Sequence, residues 1–134
     1  MNLNEGGNVF KTADKQPATI RINRDDVRPT IAWLEQVTGL QLLGMELGTT
    51  GKKATSGDLD IAVDQNTTSK DDLVKILLGY VQKYYPEDDP KQWIKKSGIN
   101  VHFKTPIRGN ANKGFVQTDF MFVPDVAYAK YALH

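Results

Sequence analysis

The sequence feature that most constrains the fold is the segment DLDIAV, which begins at Asp58 and alternates acidic and apolar side chains. A period of two places successive side chains on opposite faces of a β-strand. Leu59, Ile61 and Val63 then share the face toward a core, while Asp58 and Asp60 share the other, with Cα atoms about 6.6 Å apart. The pattern predicts a strand that carries a pair of carboxylates on one face.

A third carboxylate, Asp119, lies in the apolar run 116–123. A lone charge among apolar residues is costly unless it has a partner, so we expect Asp119 to join the other two. Carboxylate oxygens are the ligands that Mg²⁺ prefers, and two such ions about 3.5–4 Å apart assist phosphoryl or nucleotidyl transfer. Two simpler interpretations stay open, namely a solvated Asp-x-Asp strand edge and an Asp119 paired with a lysine or arginine.

The loop 48–57 precedes the acidic strand and contains three glycines, four hydroxyl side chains and two lysines. Glycine lets backbone amides approach a phosphate closely, and hydroxyls and lysines add donors and positive charge. The loop lacks the Gly-x-x-x-x-Gly-Lys-Ser/Thr pattern of a P-loop. Its composition fits a phosphate-binding loop or a flexible turn.

The other segments predict a mixture of helices and strands in one domain. Residues 1–17 are polar and predict a flexible lead-in, followed by a folded region over 18–134. Periodicity and end signals predict helices over 25–38, from Ser69 to about 84, and from Asp89 to Gly98. Strands are predicted over 18–22, 40–47, 58–63, 99–103 and 115–123, with the last two forming a long hairpin. The residues after Pro124 begin a further helix, and we expect the native chain to continue beyond His134.

Composition excludes several classes of protein. With 134 residues and 40% hydrophobic content, the chain suits a single core. It has no cysteine, which excludes disulfides and cysteine-ligated zinc. A net charge of +1 provides no overall attraction to nucleic acid. No apolar run reaches the roughly 20 residues of a membrane span, and no secretory signal is present, so we expect a cytoplasmic protein without membrane contact.

Three motifs together resemble the nucleotidyltransferase superfamily that includes DNA polymerase beta, poly(A) polymerases and CCA-adding enzymes. They are Gly48-Thr49, the acidic strand SGDLDI that starts at Ser56, and the run TDFMFVP that starts at Thr118. The resemblance covers roughly residues 25–125 and implies an α+β fold, a mixed β-sheet flanked by helices like the polymerase beta palm. Thr49 departs from the pattern, because serine or a second glycine is usual there. The chain is also similar to uncharacterised nucleotidyltransferases encoded by tailed phages, which implies the host cytoplasm.

The resemblance implies a role for each matching residue. It implies three catalytic metal ligands, Asp58, Asp60 and Asp119, which hold two Mg²⁺ ions that Mn²⁺ can replace. Asp119 also orients or deprotonates the attacking hydroxyl. The nucleotide contacts implied in the loop are Gly48, Thr49, Lys52, Lys53 and Ser56. For the two lysines, a role as plain solvated side chains is equally open.

The implied activity is transfer of a nucleoside monophosphate from a nucleoside triphosphate, such as ATP, to an acceptor hydroxyl with release of pyrophosphate. The acceptor is open, and an RNA or DNA end is one candidate. Two alternatives use the same residues: a non-catalytic nucleotide- or protein-binding module, and a phosphohydrolase. The phosphohydrolase is disfavoured because the sequence lacks the usual histidine cluster.

Five other residues have two interpretations each. Arg108 and Lys113 precede the Asp119 strand and could meet a phosphate or polynucleotide, although plain surface charges are the commoner outcome. His102 lies on the strand expected to pair with that of Asp119, as a ligand or, more often, as a structural histidine. Trp33 and Trp93 fit the apolar positions of helices, which favours core packing over base stacking.

Overall fold

The computed structural model describes residues 9–11, 18–48 and 53–132, and these form an α+β structure with a mixed four-stranded sheet. In chain order the elements are β1 (Ile22–Asn23), α1 (Arg24–Thr38), β2 (Thr55–Ser56), β3 (Asp58–Asp64), α2 (Lys70–Tyr84), β4 (Ile94–Ser97), β5 (Asn100–Pro106), β6 (Phe115–Val123) and α3 (Val126–Ala132). Single 3-10 turns lie at Pro90–Gln92, Ile107–Gly109 and Ala111–Lys113. The predicted fold class is confirmed at this level.

The central sheet has the strand order β3-β6-β5-β4. β4, β5 and β6 are successive antiparallel neighbours, whereas β3 and β6 run parallel. The predicted hairpin of β5 and β6 is therefore confirmed, and the chain between β3 and β6 includes α2 and the other two strands. β1 and β2 form a separate antiparallel ribbon next to the start of β3.

Helices α1 and α2 cover one face of this sheet, and the predicted extents of both agree with the structure to within a few residues. The core contains Val27, Ile31 and Leu34 from α1, Leu73, Leu77 and Val81 from α2, and Leu59, Ile61, Val101, Phe103, Phe120 and Phe122 from the sheet. α1 ends where Gly39 adopts a left-handed backbone (φ 74°). Since glycine has no Cβ, this conformation costs it little. α2 begins where the Ser69 side chain accepts a hydrogen bond from the Asp72 N–H.

The segment 40–47 is not the predicted strand. The N–H groups of Leu42 and Leu43 both donate to Glu35 Oε2, at 2.7 and 2.9 Å, so a helix side chain replaces a sheet partner. These two bonds lower the pKa of the Glu35 carboxyl. Pairing with β3 is limited to an isolated bridge between Glu46 and Ile61, flanked by hydrogen bonds from the Ala62 N–H to the Met45 carbonyl and from the Leu47 N–H to the Asp60 carbonyl. The backbone of Leu42 and Leu43 is thus held by a side chain of α1, a contact that strand periodicity does not reveal.

The segment 89–98 is not the predicted helix. Asp89 does start a turn, because its Oδ1 accepts from the Lys91 N–H at 3.0 Å. That turn lasts three residues, and β4 then pairs along β5 from Ile94 to Ser97. Trp93 is 2% exposed and its indole N–H donates to Asp88 Oδ2 at 3.0 Å. Pairing with a sheet edge has outweighed the local helix signals in this segment.

Three residues of the predicted flexible lead-in are described, of which Val9 and Phe10 are packed and Lys11 is exposed. Phe10 is 1% exposed, its carbonyl accepts from the Ala18 N–H at 3.0 Å, and the Val9 N–H donates to Gln117 Oε1 at 2.9 Å. The rest of the predicted lead-in, residues 1–8 and 12–17, lies outside the described residues. In the described part of the chain, no helix combines the length and apolar character that crossing a bilayer requires.

Candidate metal centre

The predicted meeting of the three carboxylates is confirmed. β3 and β6 pair so that Asp60 lies opposite Asp119, and Asp58 lies two residues earlier on the same face of β3. One oxygen from each carboxylate can be chosen so that all three lie within 4.8 Å of one another. The parallel register of two strands, distant in sequence, therefore builds a compact group of acidic side chains.

The three carboxyl groups are partly buried, and their negative charges repel one another. Burial, and after it the nearby Asp119, raise the pKa of Asp58 to about 6. Burial, and after it Asp58 and Asp119, raise the pKa of Asp60 to about 7. Since each shift disfavours the charged carboxylate, Asp58 and Asp60 are costly to ionise in the absence of a cation.

The donor set fits a hard divalent cation. All three groups offer carboxylate oxygens, which hard cations such as Mg²⁺ and Mn²⁺ prefer as ligands, and a chain without cysteine has no thiolate to offer. A cation between the carboxylates would compensate the repulsion that raises the pKa values of Asp58 and Asp60. The residues are thus suited to hold a metal ion, and their carboxylate oxygens favour a hard cation over a thiophilic one.

Two further side chains contact the group, and sequence reasoning missed one of them. His102 lies opposite Asp119 in the β5–β6 pairing, and its Nδ1 is 2.6 Å from Asp119 Oδ1. Gln117 Nε2 donates to the same oxygen at 2.9 Å. Gln117 is two residues from Asp119 on the same face, and that spacing was the available signal. His102 was considered, and the structure places it in contact with a member of the site.

The loop before β3 begins beside the carboxylates. The Leu47 N–H donates to the Asp60 carbonyl at 2.8 Å, so Gly48, with φ 63°, follows directly on a residue paired to the acidic strand. Lys53 is exposed, whereas Ser56 is 8% exposed and pairs with Ile22. The predicted phosphate contacts at Thr49 and Lys52 lie outside the described residues.

Arg21 is a second residue that the sequence did not reveal. Its Nε and Nη2 donate to the hydroxyl and carbonyl oxygens of Thr55, at 3.0 and 3.2 Å. Nη1 lies over Gly57, where a Cβ would be 3.3 Å from it. The guanidinium acts on the neighbouring Asp58, whose pKa it lowers against the stronger effects of burial and Asp119. Positive charge therefore lies on the β1–β2 side of the carboxylates.

The remaining candidates lie elsewhere. Arg108 pairs through Nε with the Asp26 carboxylate and donates from Nη2 to the Asp25 carbonyl, so it contacts α1. Lys113 is exposed in a 3-10 turn. Trp93 belongs to the core, as expected. Trp33 packs against the core and contacts the Tyr80 ring edge-to-face. None of these described contacts brings Arg108 into the carboxylate group.

Comparisons of the chain with protein-family models, with curated proteins and with solved structures found no match.

Proposed function

We propose that this protein is a metal-dependent nucleotidyltransferase with a fold like the polymerase beta palm. The observation that supports the proposal most is the set of three carboxylates, Asp58, Asp60 and Asp119, whose oxygens lie within 4.8 Å. The resemblance of the surrounding motifs suggests the reaction: an acceptor hydroxyl attacks the α-phosphate of a nucleoside triphosphate. The new phosphoester bond forms as the bond to pyrophosphate breaks.

In this proposal Asp58, Asp60 and Asp119 hold Mg²⁺, which supplies charge neutralisation to the triphosphate when bound. Asp119 orients the attacking hydroxyl and accepts its proton. The loop that begins at Gly48 binds the terminal phosphates, and the exposed Lys53 of this loop adds positive charge. Rate enhancement then comes from holding the hydroxyl and the phosphate in line and from placing fixed charges where negative charge develops.

The test is incubation of the protein with each labelled nucleoside triphosphate, Mg²⁺ or Mn²⁺, and a panel of acceptors that includes tRNA, DNA ends and proteins. We expect label on an acceptor and an equal amount of pyrophosphate. Asp58→Asn, Asp60→Asn and Asp119→Asn should each reduce transfer by at least about 100-fold, the loss typical of removing one electrostatic partner of a transition state.

Asp64→Asn is the matched control. Asp64 lies on β3 with Asp58 and Asp60, but its Oδ1 accepts from the Asn66 N–H in the following turn at 2.8 Å, and asparagine can keep that bond. We expect transfer by Asp64→Asn to equal that of the wild type. Full activity in all three site variants would overturn the proposal. Metal-dependent nucleotide binding without any transfer would favour a binding module. Release of phosphate without labelling of any acceptor would favour a phosphohydrolase.

A further inference from the structure

One oxygen of Asp119 is engaged by two buried side chains. His102 Nδ1 and Gln117 Nε2 both contact Oδ1, at 2.6 and 2.9 Å. His102 is 8% exposed and Gln117 is fully buried, so water competes weakly for either contact. A carboxylate oxygen only accepts hydrogen bonds, and His102 therefore donates from Nδ1 when Asp119 is ionised.

The amide of Gln117 is itself oriented by the backbone of Val9. The Val9 N–H donates to Gln117 Oε1 at 2.9 Å. A backbone N–H is always a donor, so the amide atom that faces it must be the oxygen, and the NH₂ group must face Asp119. Burial of Phe10, at 1% exposure, holds this segment against the sheet. A chain of hydrogen bonds thus runs from Val9 through Gln117 to Asp119.

We propose that His102 and Gln117 are positioning residues for Asp119. Val9 contributes indirectly, because its N–H orients the Gln117 amide. By engaging Oδ1 from two directions, they fix the rotation of the carboxylate and leave Oδ2 as the oxygen that binds the ion. This inference rests on the proposed function, because it assigns the supporting contacts of the same metal centre. Supporting contacts of this kind typically contribute about 10- to 100-fold to metal affinity.

The test is Mn²⁺ binding to the metal-free protein near pH 8, followed by the electron paramagnetic resonance signal of free Mn²⁺. His102→Leu removes the donor, and Gln117→Glu replaces the donor that faces Oδ1 with an acceptor. Each should weaken Mn²⁺ affinity by about 10- to 100-fold. His102→Asn should bind close to the wild type, because its side-chain NH₂ can occupy the place of Nδ1. Such rescue is not expected if His102 only fills space.

Thr105→Val is the matched control for loss of a buried hydrogen bond. The Thr105 hydroxyl lies 2.6 Å from that of Thr118 on the sheet face packed against the helices, away from Asp119. We expect this variant to bind Mn²⁺ as the wild type does. Thermal unfolding of every variant verifies that it is folded, and if His102→Leu does not fold, Gln117→Glu decides the outcome.

A double-mutant cycle with Asp119→Asn tests whether His102 acts through Asp119. We expect His102→Leu to cause no further loss of Mn²⁺ affinity once Asp119 is replaced. An equal loss in both backgrounds overturns the inference. Wild-type affinity in both His102→Leu and Gln117→Glu also overturns it but leaves the proposed function standing, provided that Asp119→Asn weakens binding. A wild-type protein that binds no Mn²⁺ overturns both.

Discussion

The two faces of the central sheet are built by the same strands, and at Phe120 and Asp119 they have opposite physical character. Phe120 lies on the core face, the side packed against α1 and α2, where Ile61 and Val101 are its neighbours across the sheet. Asp119, one residue earlier, lies on the carboxylate face, the side that carries Asp58 and Asp60, and its cross-strand neighbours are Asp60 and His102. A single step along β6 separates a fully buried aromatic ring from a candidate metal ligand.

The comparison teaches that stability and function are divided between the faces. Burial of apolar surface on the core face favours the folded state by roughly 25 cal/mol per Å². The carboxylate face has the opposite effect in the absence of a cation, because burial and mutual repulsion raise the pKa values of Asp58 and Asp60. A sheet with one firmly packed face can tolerate a costly arrangement on the other.

The largest effect should come from breaking the core face. Phe120 is fully buried, and Phe120→Ala removes its transfer energy and leaves a cavity, so we expect a loss of about 3–5 kcal/mol in the free energy of unfolding. Urea denaturation measures this loss. Asp119→Asn, the neighbour on the other face, serves as the control and should change stability far less. Similar losses in the two variants would show that the faces do not differ as described.

Removing a charge from the carboxylate face should stabilise the metal-free protein. Near pH 8 Asp60 must be ionised in the folded state despite a pKa raised to about 7, and Asp60→Asn removes that cost. A shift of one pKa unit corresponds to about 1.4 kcal/mol, and solvent screening of this partly exposed group reduces the cost of the whole shift, so we expect a gain of roughly 1–2 kcal/mol. Chemical denaturation in the presence of a chelator measures it. A loss of stability would contradict the expected cost.

The pH dependence follows from the same shifts. A carboxyl whose folded-state pKa is raised binds more protons when folded than when unfolded, so its contribution to stability is present below pH 4 and is lost as pH rises through about 6–7. The stability gain of Asp60→Asn should therefore be near zero at pH 4 and largest near pH 8. A gain that does not change with pH would contradict the assignment to this ionisation.

Added Mn²⁺ should reverse the cost at high pH. An ion that binds only the folded state adds about 2.7 kcal/mol at 100 times its dissociation constant. Because the ion competes with protons for Asp58 and Asp60, we expect the rise in melting temperature on adding Mn²⁺ to be large near pH 8 and small near pH 5. Differential scanning calorimetry of wild type and Asp119→Asn measures it, and the variant should show a smaller rise.

The smallest effect should come from a residue that belongs to neither face. Ser69 caps α2 through the Asp72 N–H at 3.1 Å, and Ser69→Ala should lower stability by about 1 kcal/mol without changing Mn²⁺ affinity. Ser69→Asp keeps a capping oxygen and is the control, with stability close to the wild type. Weaker Mn²⁺ binding by Ser69→Ala would mean that the carboxylate face depends on α2 more than its contacts indicate.

Much of the fold was predictable because its signals are local. The alternation in DLDIAV predicted β3 and the separation of Leu59 from Asp60, and Ser69 and Gly39 marked helix ends that the structure confirms. In the two failures, contacts with a neighbouring element outweighed local preference. The N–H groups of Leu42 and Leu43 donate to Glu35 of α1, and the segment 94–97 pairs with β5, the next strand in the chain.

The sequence by itself determined which residues occupy each face, because the period of a β-strand depends only on backbone geometry and DLDIAV carries that period in its side chains. It also contained the three aspartates and their apolar surroundings. Only the tertiary structure decided that Asp60 pairs with Asp119, and that His102, Gln117 and Val9 support the same carboxylate. Strand order and register depend on contacts among residues far apart in the chain, and no local pattern encodes them.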